Sequence, residues 1–383
     1  MFKVLFITNV PAPYRVDFFS LLGKKCDLTI LYEHSYSTER DAQWKGRLQE
    51  KTYHEIYLNA KIRIHHGDSF APQVIKYLLR KYDLIVIGSH SSPTQKLAIE
   101  YMKFSGIPYA VNIDGVALPR GYKESWWKSC LKRHLYSGAE AYLVSGDVTK
   151  KYLMKYGISH EKIYIYPFSS VFDDEVLERI VTDEEKNALK QELDISEKYM
   201  VLSVGRFIQS KGYDLLLQAG HDIVGDTGVY IVGGHPTEEY LSLRERCKGK
   251  ANFHFIEFKT REVLQKYYRA SDVFVLPTRI DAWGLVVNEA TAKGLPIIST
   301  DKCNAANEML EDGVSGYILP SETIDGWADK INTLLEDDEL RHHIAEESLG
   351  VAKQYTIERM VAVHLDIFAK IMEKREKSRG ENI

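Results

Sequence analysis

The sequence predicts an α/β protein made of two doubly wound, Rossmann-like domains. Short apolar runs rich in β-branched residues recur along the chain, and helical patterns separate them. Such runs are typical of strands buried on both faces, and strict strand–helix alternation builds a parallel sheet covered by helices. The chain has 383 residues, 44% of them hydrophobic, enough for two domains with full cores.

Taken in order, the runs of the first half are Val4–Thr8, Leu28–Tyr32, Leu84–Gly88, Tyr109–Ile113, Ala141–Val144 and Ile163–Tyr166. Those of the second half are Val201–Val204, Val229–Val232, Phe253–Phe258, Val273–Leu276, Pro296–Ser299 and Tyr317–Leu319. Ser92–Phe104, Val148–Tyr156, Thr260–Ala270 and Asp325–Leu335 read as helices between them. The Pro- and Ser-bearing stretch 167–174 ends the first set, and the acidic helical segment Asp183–Glu192 leads to the second. This divides the chain into domains 1–170 and 171–356 and a closing segment 357–383. That segment holds a helix over Ile357–Glu373 with apolar residues at helical spacing, then a polar tail expected to fray.

Charge is unevenly shared. Residues 1–170 carry 24 Lys and Arg against 15 Asp and Glu, a net of +9, whereas residues 171–383 carry −13. A basic half suits an anionic partner, although a solvated surface of mixed charge gives the same count. Cys26, Cys130, Cys247 and Cys303 are scattered without metal spacing, as expected of idle thiols in a reducing compartment. The chain opens directly on a strand, with too short an apolar run for a signal peptide, and no stretch approaches a membrane span. These features predict a cytoplasmic protein, soluble or peripheral.

In open α/β sheets ligands sit beyond the carboxyl ends of the strands, so the residues just after each run carry the chemistry. After Val201–Val204 come Gly205, Arg206 and Lys211, on a loop leading into a helix near Tyr213. Free amides and the dipole at a helix start attract anions; Arg grips phosphate bidentately and Lys adds a point charge. An isolated Arg and Lys on a loop are ordinarily a solvated pair, but their place straight after a buried strand favours a phosphate site. No P-loop pattern occurs. After Val273–Leu276 come Asp281 and Glu289, bracketing Trp283-Gly284-Leu285. A helix is expected from Gly284 to about Lys293, with Gly294 as its terminating residue. Glu289 then lies inside that helix, Asp281 on the loop before it, and the Gly284, Leu285 and Val286 amides face a bound phosphate. Carboxylates at a helix start are often mere dipole partners; beside the cationic loop they read better as acceptors for sugar and ribose hydroxyls.

In the first half, Asn9, Pro11, Pro13 and Tyr14 form the loop after the first strand, and His90 and Asp114 follow later strands. His90 is either a catalytic group or a satisfied capping or core histidine, and Asp114 either catalytic or part of an ordinary Asp-Gly turn. Tyr122–Tyr136 mixes Trp126 and Trp127 with Lys128, Lys132 and Arg133 at helical spacing. It suits a membrane surface or a helix that merely covers the domain.

Gly205-Arg206 and Lys211-Gly212, then Pro277-Thr278, Asp281, Trp283-Gly284, Glu289-Ala290, Lys293-Gly294 and Pro296-Ile297-Ile298, together resemble family 4 retaining glycosyltransferases of the GT-B fold. The start, Ile7–Arg15, is similar to the first strand and loop of many bacterial members. The resemblance covers essentially the whole chain and is strongest over residues 200–320. It implies a nucleotide-sugar donor, with Arg206 and Lys211 on the diphosphate, Glu289 on the ribose and Asp281 beside the donor sugar. Gly205, Phe258, Gly284, Leu285 and Val286 complete the donor side. Asp281 stands where the family usually has Glu, one methylene longer. The family's glycine pair after the first strand is absent. Asn9, Pro11, Pro13 and Tyr14 would face the transferred sugar and a glycan or lipid-linked acceptor, and the last helix would cross back to the N-terminal domain. The expected activity is retaining, metal-independent sugar transfer in bacterial cell-surface polysaccharide synthesis, with Arg206, Lys211, Asp281, His90 and Asp114 as the catalytic set.

No cofactor and no metal is expected, since no DxD motif occurs; an anionic membrane surface is an expected partner and nucleic acid is not. Two alternatives share the architecture. A non-hydrolysing nucleotide-sugar epimerase would form product from donor alone, and a catalytically silent GT-B partner subunit would fail to bind donor by itself.

Overall fold

The computed structural model describes every residue except 1, 36–46, 49, 59–61, 65–67, 89–90, 120, 248 and 381–383. It divides into two compact units. The first comprises residues 1–116, 123–168 and 357–383, the second 117–122 and 169–356.

The strands of the first unit are β1 (Lys3–Thr8), β2 (Asp27–Tyr32), β3 (His54–Tyr57), a hairpin β4 (Ile62–Ile64) and β5 (Asp68–Phe70), then β6 (Leu84–Ile87), β7 (Ala110–Ile113), β8 (Ala141–Val144) and β9 (Ile163–Ile165). All but the hairpin form one sheet ordered β3-β2-β1-β6-β7-β8-β9, parallel throughout. Its helices are α1 (Pro13–Leu22), α2 (Val74–Leu78), α3 (Pro93–Phe104), α4 (Trp126–Tyr136) and α5 (Asp147–Lys155). The second unit follows the same plan. Strands β10 (Tyr199–Val204), β11 (Thr227–Val232), β12 (Asn252–Ile256), β13 (Val273–Leu276), β14 (Ile297–Thr300) and β15 (Gly316–Leu319) make a parallel sheet ordered β12-β11-β10-β13-β14-β15. Its helices are α6 (Asp183–Glu192), α7 (Tyr213–Ala219), α8 (Glu238–Arg246), α9 (Arg261–Ala270), α10 (Leu285–Thr291), α11 (Asn304–Met309), α12 (Trp327–Glu336) and α13 (Asp338–Ala352). Both sheets reverse winding direction once, at β1/β6 and at β10/β13. Such a switch point opens a crevice at the carboxyl ends of the two central strands.

Every run read as a strand holds one; the central strands are apolar on both faces, β11 being buried at all six positions, whereas the edge strands β9 and β12 are only partly buried. Four differences from these expectations stand out. β3 is a half-exposed edge strand whose His54 and Glu55 break the apolar pattern. Pro13 and Tyr14, read as loop residues, open α1, where a proline at the first position needs no N–H partner. Phe258 lies two residues beyond the end of β12. The tail expected to fray is helical, since α14 runs from Ile357 to Gly380. Its last turns are rich in Lys, Glu and Arg, all good helix formers.

α14 belongs to the first unit. His364 from its apolar face is wholly buried against Phe18 (ring centroids 4.7 Å), Tyr166 (4.4 Å) and Phe368 (6.0 Å). Its Nδ1 meets the Met360 carbonyl at 2.8 Å, and Arg15 is the nearby cation. Burial pushes the imidazole from 6.5 down to about 3. The folded state therefore binds fewer protons than the unfolded chain between those values. The stability held by neutral His364 is complete above about pH 6.5 and is lost as pH falls toward 3, by up to about 1.4 kcal/mol per pH unit. Denaturant melts of wild type and His364→Leu at pH 7 and pH 5 should show a smaller acid loss in the variant. Equal losses would remove His364 as their source.

Candidate active site at the carboxyl ends of β10 and β13

The cationic loop starts as β10 ends. Phe207 is buried edge-on against Tyr213, Tyr240 and Phe255 at 5.0–5.6 Å, which anchors the loop and leaves its neighbour Arg206 exposed. Among the described residues Arg206 has no ion-pair partner. Lys211 ends a single 3-10 turn, and the chain enters α7 through Gly212 at φ 70°. A Cβ there would lie 1.9 Å from the Pro277 carbonyl oxygen, so both conformation and space require glycine.

The loop after β13 grips this turn. Thr278 Oγ1 and the Arg279 amide both donate to the Ser210 carbonyl, at 2.8 and 2.7 Å. The Arg279 guanidinium donates to the Gln209 carbonyl at 2.9 Å and bidentately to Asp214 at 2.7 Å. Sequence reasoning missed Arg279, because its partners lie about 65–70 positions back and no local pattern marks it.

Lys211 and Asp281, placed by separate strands, meet directly: Nζ lies 2.6 Å from Oδ2, with both side chains under a fifth exposed. An ammonium has three donors, so two remain for a ligand. Asp281 Oδ1 accepts from the Trp283 amide at 3.3 Å, and its own amide donates to the Lys302 carbonyl at 2.9 Å. Gly284 precedes α10 at φ 102°, where a Cβ would come within 2.6 Å of Cys303 Sγ. α10 begins at Leu285, one residue later than the sequence suggests, and the amides of Leu285 and Val286 open it without partners inside the helix.

Glu289, half-buried in α10, accepts from the Tyr268 hydroxyl at 2.9 Å and the Ser170 hydroxyl at 3.4 Å. Burial raises its pKa above the ordinary 4.5, against the lowering effect of nearby Arg261. Phe258 is half-buried.

In the first unit, Asp114 after β7 is bound to buried Arg15 of α1, and accepts from Tyr166 at 2.8 Å and Tyr14 at 3.3 Å. Arg15 also donates to Asn112 at 2.6 Å and lies over the rings of Phe6, Phe18 and Phe19 at 5.3–5.9 Å. Asn9 is exposed and caps the Val10 amide at 2.8 Å, and Pro11 is half-buried. Pro13 is buried and Tyr14 half-buried. His90 lies outside the described residues.

α4 presents a further surface. Lys132 is turned inward, 2.5 Å from Glu124 and over the rings of Tyr152 (5.3 Å) and Tyr156 (5.5 Å). Leu135 and Tyr136 are buried beside it. This fixes the helix with Trp126 (80% exposed), Trp127 (59%) and Leu131 (48%) facing outward, beside exposed Lys128 and Arg133. No helix among the described residues is long and apolar enough to cross a membrane.

Two Rossmann-like units of this kind are the fold of GT-B glycosyltransferases. Residues 185–349 match the family model for glycosyl transferases group 1. A D-inositol 3-phosphate glycosyltransferase of Xylanimonas cellulosilytica is 26% identical over 57% of this chain and 54% of its own length, so the chain spans about half of that relative. A Campylobacter jejuni relative, the N,N'-diacetylbacillosaminyl-diphospho-undecaprenol alpha-1,3-N-acetylgalactosaminyltransferase, is 22% identical over 79% of this chain and 80% of its own. Among solved structures, Anabaena HepE in complex with UDP superposes with a TM-score of 0.76 at 16% identity, over 96% of this chain and all of that one.

Proposed function

We propose that this chain is a retaining glycosyltransferase that moves a sugar from a nucleotide-sugar donor to a glycan or lipid-linked acceptor in bacterial cell-surface polysaccharide synthesis. The observation that carries this reading is the Lys211–Asp281 pair at the switch point of one sheet, with Arg206 on the same loop as Lys211 and Glu289 on the helix that follows Asp281. The group 1 match over that unit and the likeness to a protein solved with UDP support it.

The donor diphosphate lies against Arg206, the two free donors of Lys211 and the amides that open α10. As the sugar–phosphate bond breaks, these preorganised donors meet the charge gathering on the departing diphosphate. The acceptor hydroxyl attacks from the same face, its oxygen forms the new bond to the anomeric carbon, and its proton passes to the leaving phosphate. The diphosphate is neutralised by these side chains, so we assign the reaction no resident metal and no cofactor. Asp281 serves the donor sugar and holds Lys211, and Glu289 accepts the ribose hydroxyls. Glu289→Gln should therefore weaken nucleoside diphosphate binding by about 1.5–3 kcal/mol. Unchanged affinity by calorimetry would remove Glu289 from the site.

The acceptor is placed at an anionic membrane surface, reached from the cytoplasmic side. The motive is α4: aromatic rings flanked by cations and held outward suit a lipid headgroup layer. Each basic residue near such a surface contributes about 1 kcal/mol. Sedimentation with phosphatidylglycerol vesicles should fall with added salt, with Trp126→Ser/Trp127→Ser and with Lys128→Ser/Arg133→Ser. Lys132 faces Glu124 instead and is left in place. Absence of binding at low salt, or equal use of a soluble neutral acceptor, would overturn this part.

A further inference from the structure

Both oxygens of the Glu289 carboxylate accept hydrogen bonds from within the second unit, Oε2 from Tyr268 and Oε1 from Ser170. Tyr268 is wholly buried in α9, its ring beside Phe274 at 5.8 Å. Phenylalanine would fill that space equally well, and a buried phenol is tolerated only if its hydroxyl finds a partner. The partner here is a carboxylate that itself stays half-open to solvent.

The surrounding charges are fixed in turn. Arg261, from the start of α9, binds Glu175 through two bonds of 2.9 and 2.5 Å and donates to the Ser170 carbonyl at 3.1 Å. Lys293, just beyond α10, donates to the Glu175 carbonyl. The groups facing Glu289 are thus the cations Arg261 and Lys293, the anion Glu175, and the neutral hydroxyls of Tyr268 and Ser170.

Bonds to both oxygens restrain the rotation of the carboxylate, and each oxygen has a further lone pair with which to accept from a ligand. Two acceptors in one fixed plane match a pair of vicinal hydroxyls. A protonated carboxyl does not, because one oxygen has become a donor. We propose that Tyr268, assisted by Ser170, is a positioning residue that holds Glu289 in the plane and the ionised state needed to accept both ribose hydroxyls of the donor nucleotide. This rests on the assignment of Glu289 to the ribose made above. The charge balance agrees: burial raises the Glu289 pKa, while Arg261, Tyr268 and Ser170 pull it down and Glu175 pushes it up. Loss of the Tyr268 hydroxyl removes one lowering influence, so protonation begins at higher pH.

The test is calorimetry between pH 5 and pH 8 with UDP or GDP, whichever binds more tightly, and with its 2′-deoxy form. Wild type should prefer the ribonucleotide by about tenfold at pH 8, the worth of one hydrogen bond to a charged group. The preference should fade on acidification. In Tyr268→Phe it should shrink severalfold, and the acid limb should move to higher pH. A general loosening of the fold would lower both affinities alike and leave the limb in place. Should Tyr268→Phe not fold, Ser170→Ala carries the same test, with a smaller shift in the same direction. An unmoved limb and an unchanged ratio in the folded variant, with the preference lost in Glu289→Gln, would overturn the role of Tyr268 alone. A preference that survives Glu289→Gln would overturn the ribose assignment itself.

Discussion

Arg206→Ala and Lys211→Ala are each expected to remove about 2–4 kcal/mol of transition-state stabilisation, roughly a 30- to 900-fold loss of turnover. The two changes should differ in kind. Arg206 is exposed and lacks an ion-pair partner among the described residues, so its removal subtracts a phosphate donor and leaves the loop intact. Lys211 is paired with Asp281 at 2.6 Å, so its removal also strands a carboxylate beside an anionic ligand. Lys211→Ala should therefore raise KM as well as lower kcat, whereas Arg206→Ala should act mainly on kcat. Steady-state kinetics separate these patterns. Rates within about threefold of wild type for both variants would remove the phosphate site.

Asp114→Ala is expected to destabilise the first unit by about 3–5 kcal/mol, the usual cost of breaking a buried ion pair from one side. The stranded group is Arg15, only 3% exposed and closed in by Phe6, Phe18 and Phe19. Arg15→Met with Asp114→Leu should recover much of that loss, because replacing both members leaves no uncompensated charge. Denaturant unfolding of the singles and the double measures the coupling. Undiminished stability in Asp114→Ala with turnover abolished would instead make Asp114 a group acting on substrate.

The fold class was legible because parallel strands buried on both faces leave dense apolar runs that few other structures produce. The same runs located the site, since the cations follow one strand and the carboxylates another, and the switch point brings both to one sheet edge. What the sequence hid is long-range pairing. Arg15 and Asp114 are 99 positions apart, and Arg279 and Asp214 are 65. Each residue alone looks like an ordinary surface charge. Tyr268 looks like a core residue of an amphipathic helix; only its hydroxyl, seen beside Glu289, says otherwise. Lys132 looks like its neighbours Lys128 and Arg133 in the sequence, and only the cage of Glu124, Tyr152 and Tyr156 turns it inward.

The most direct measurement is a thermal-shift titration of the purified chain with UDP-, GDP- and dTDP-sugars, run in parallel on Lys211→Ala and Glu289→Gln. A ligand that binds only the folded state raises the midpoint with its concentration. One nucleotide class is expected to raise the wild-type midpoint in a saturable way, and both variants to lose most of that rise while melting normally without ligand. No shift with any donor, or a shift that persists undiminished in both variants, would contradict a donor site at the carboxyl ends of β10 and β13.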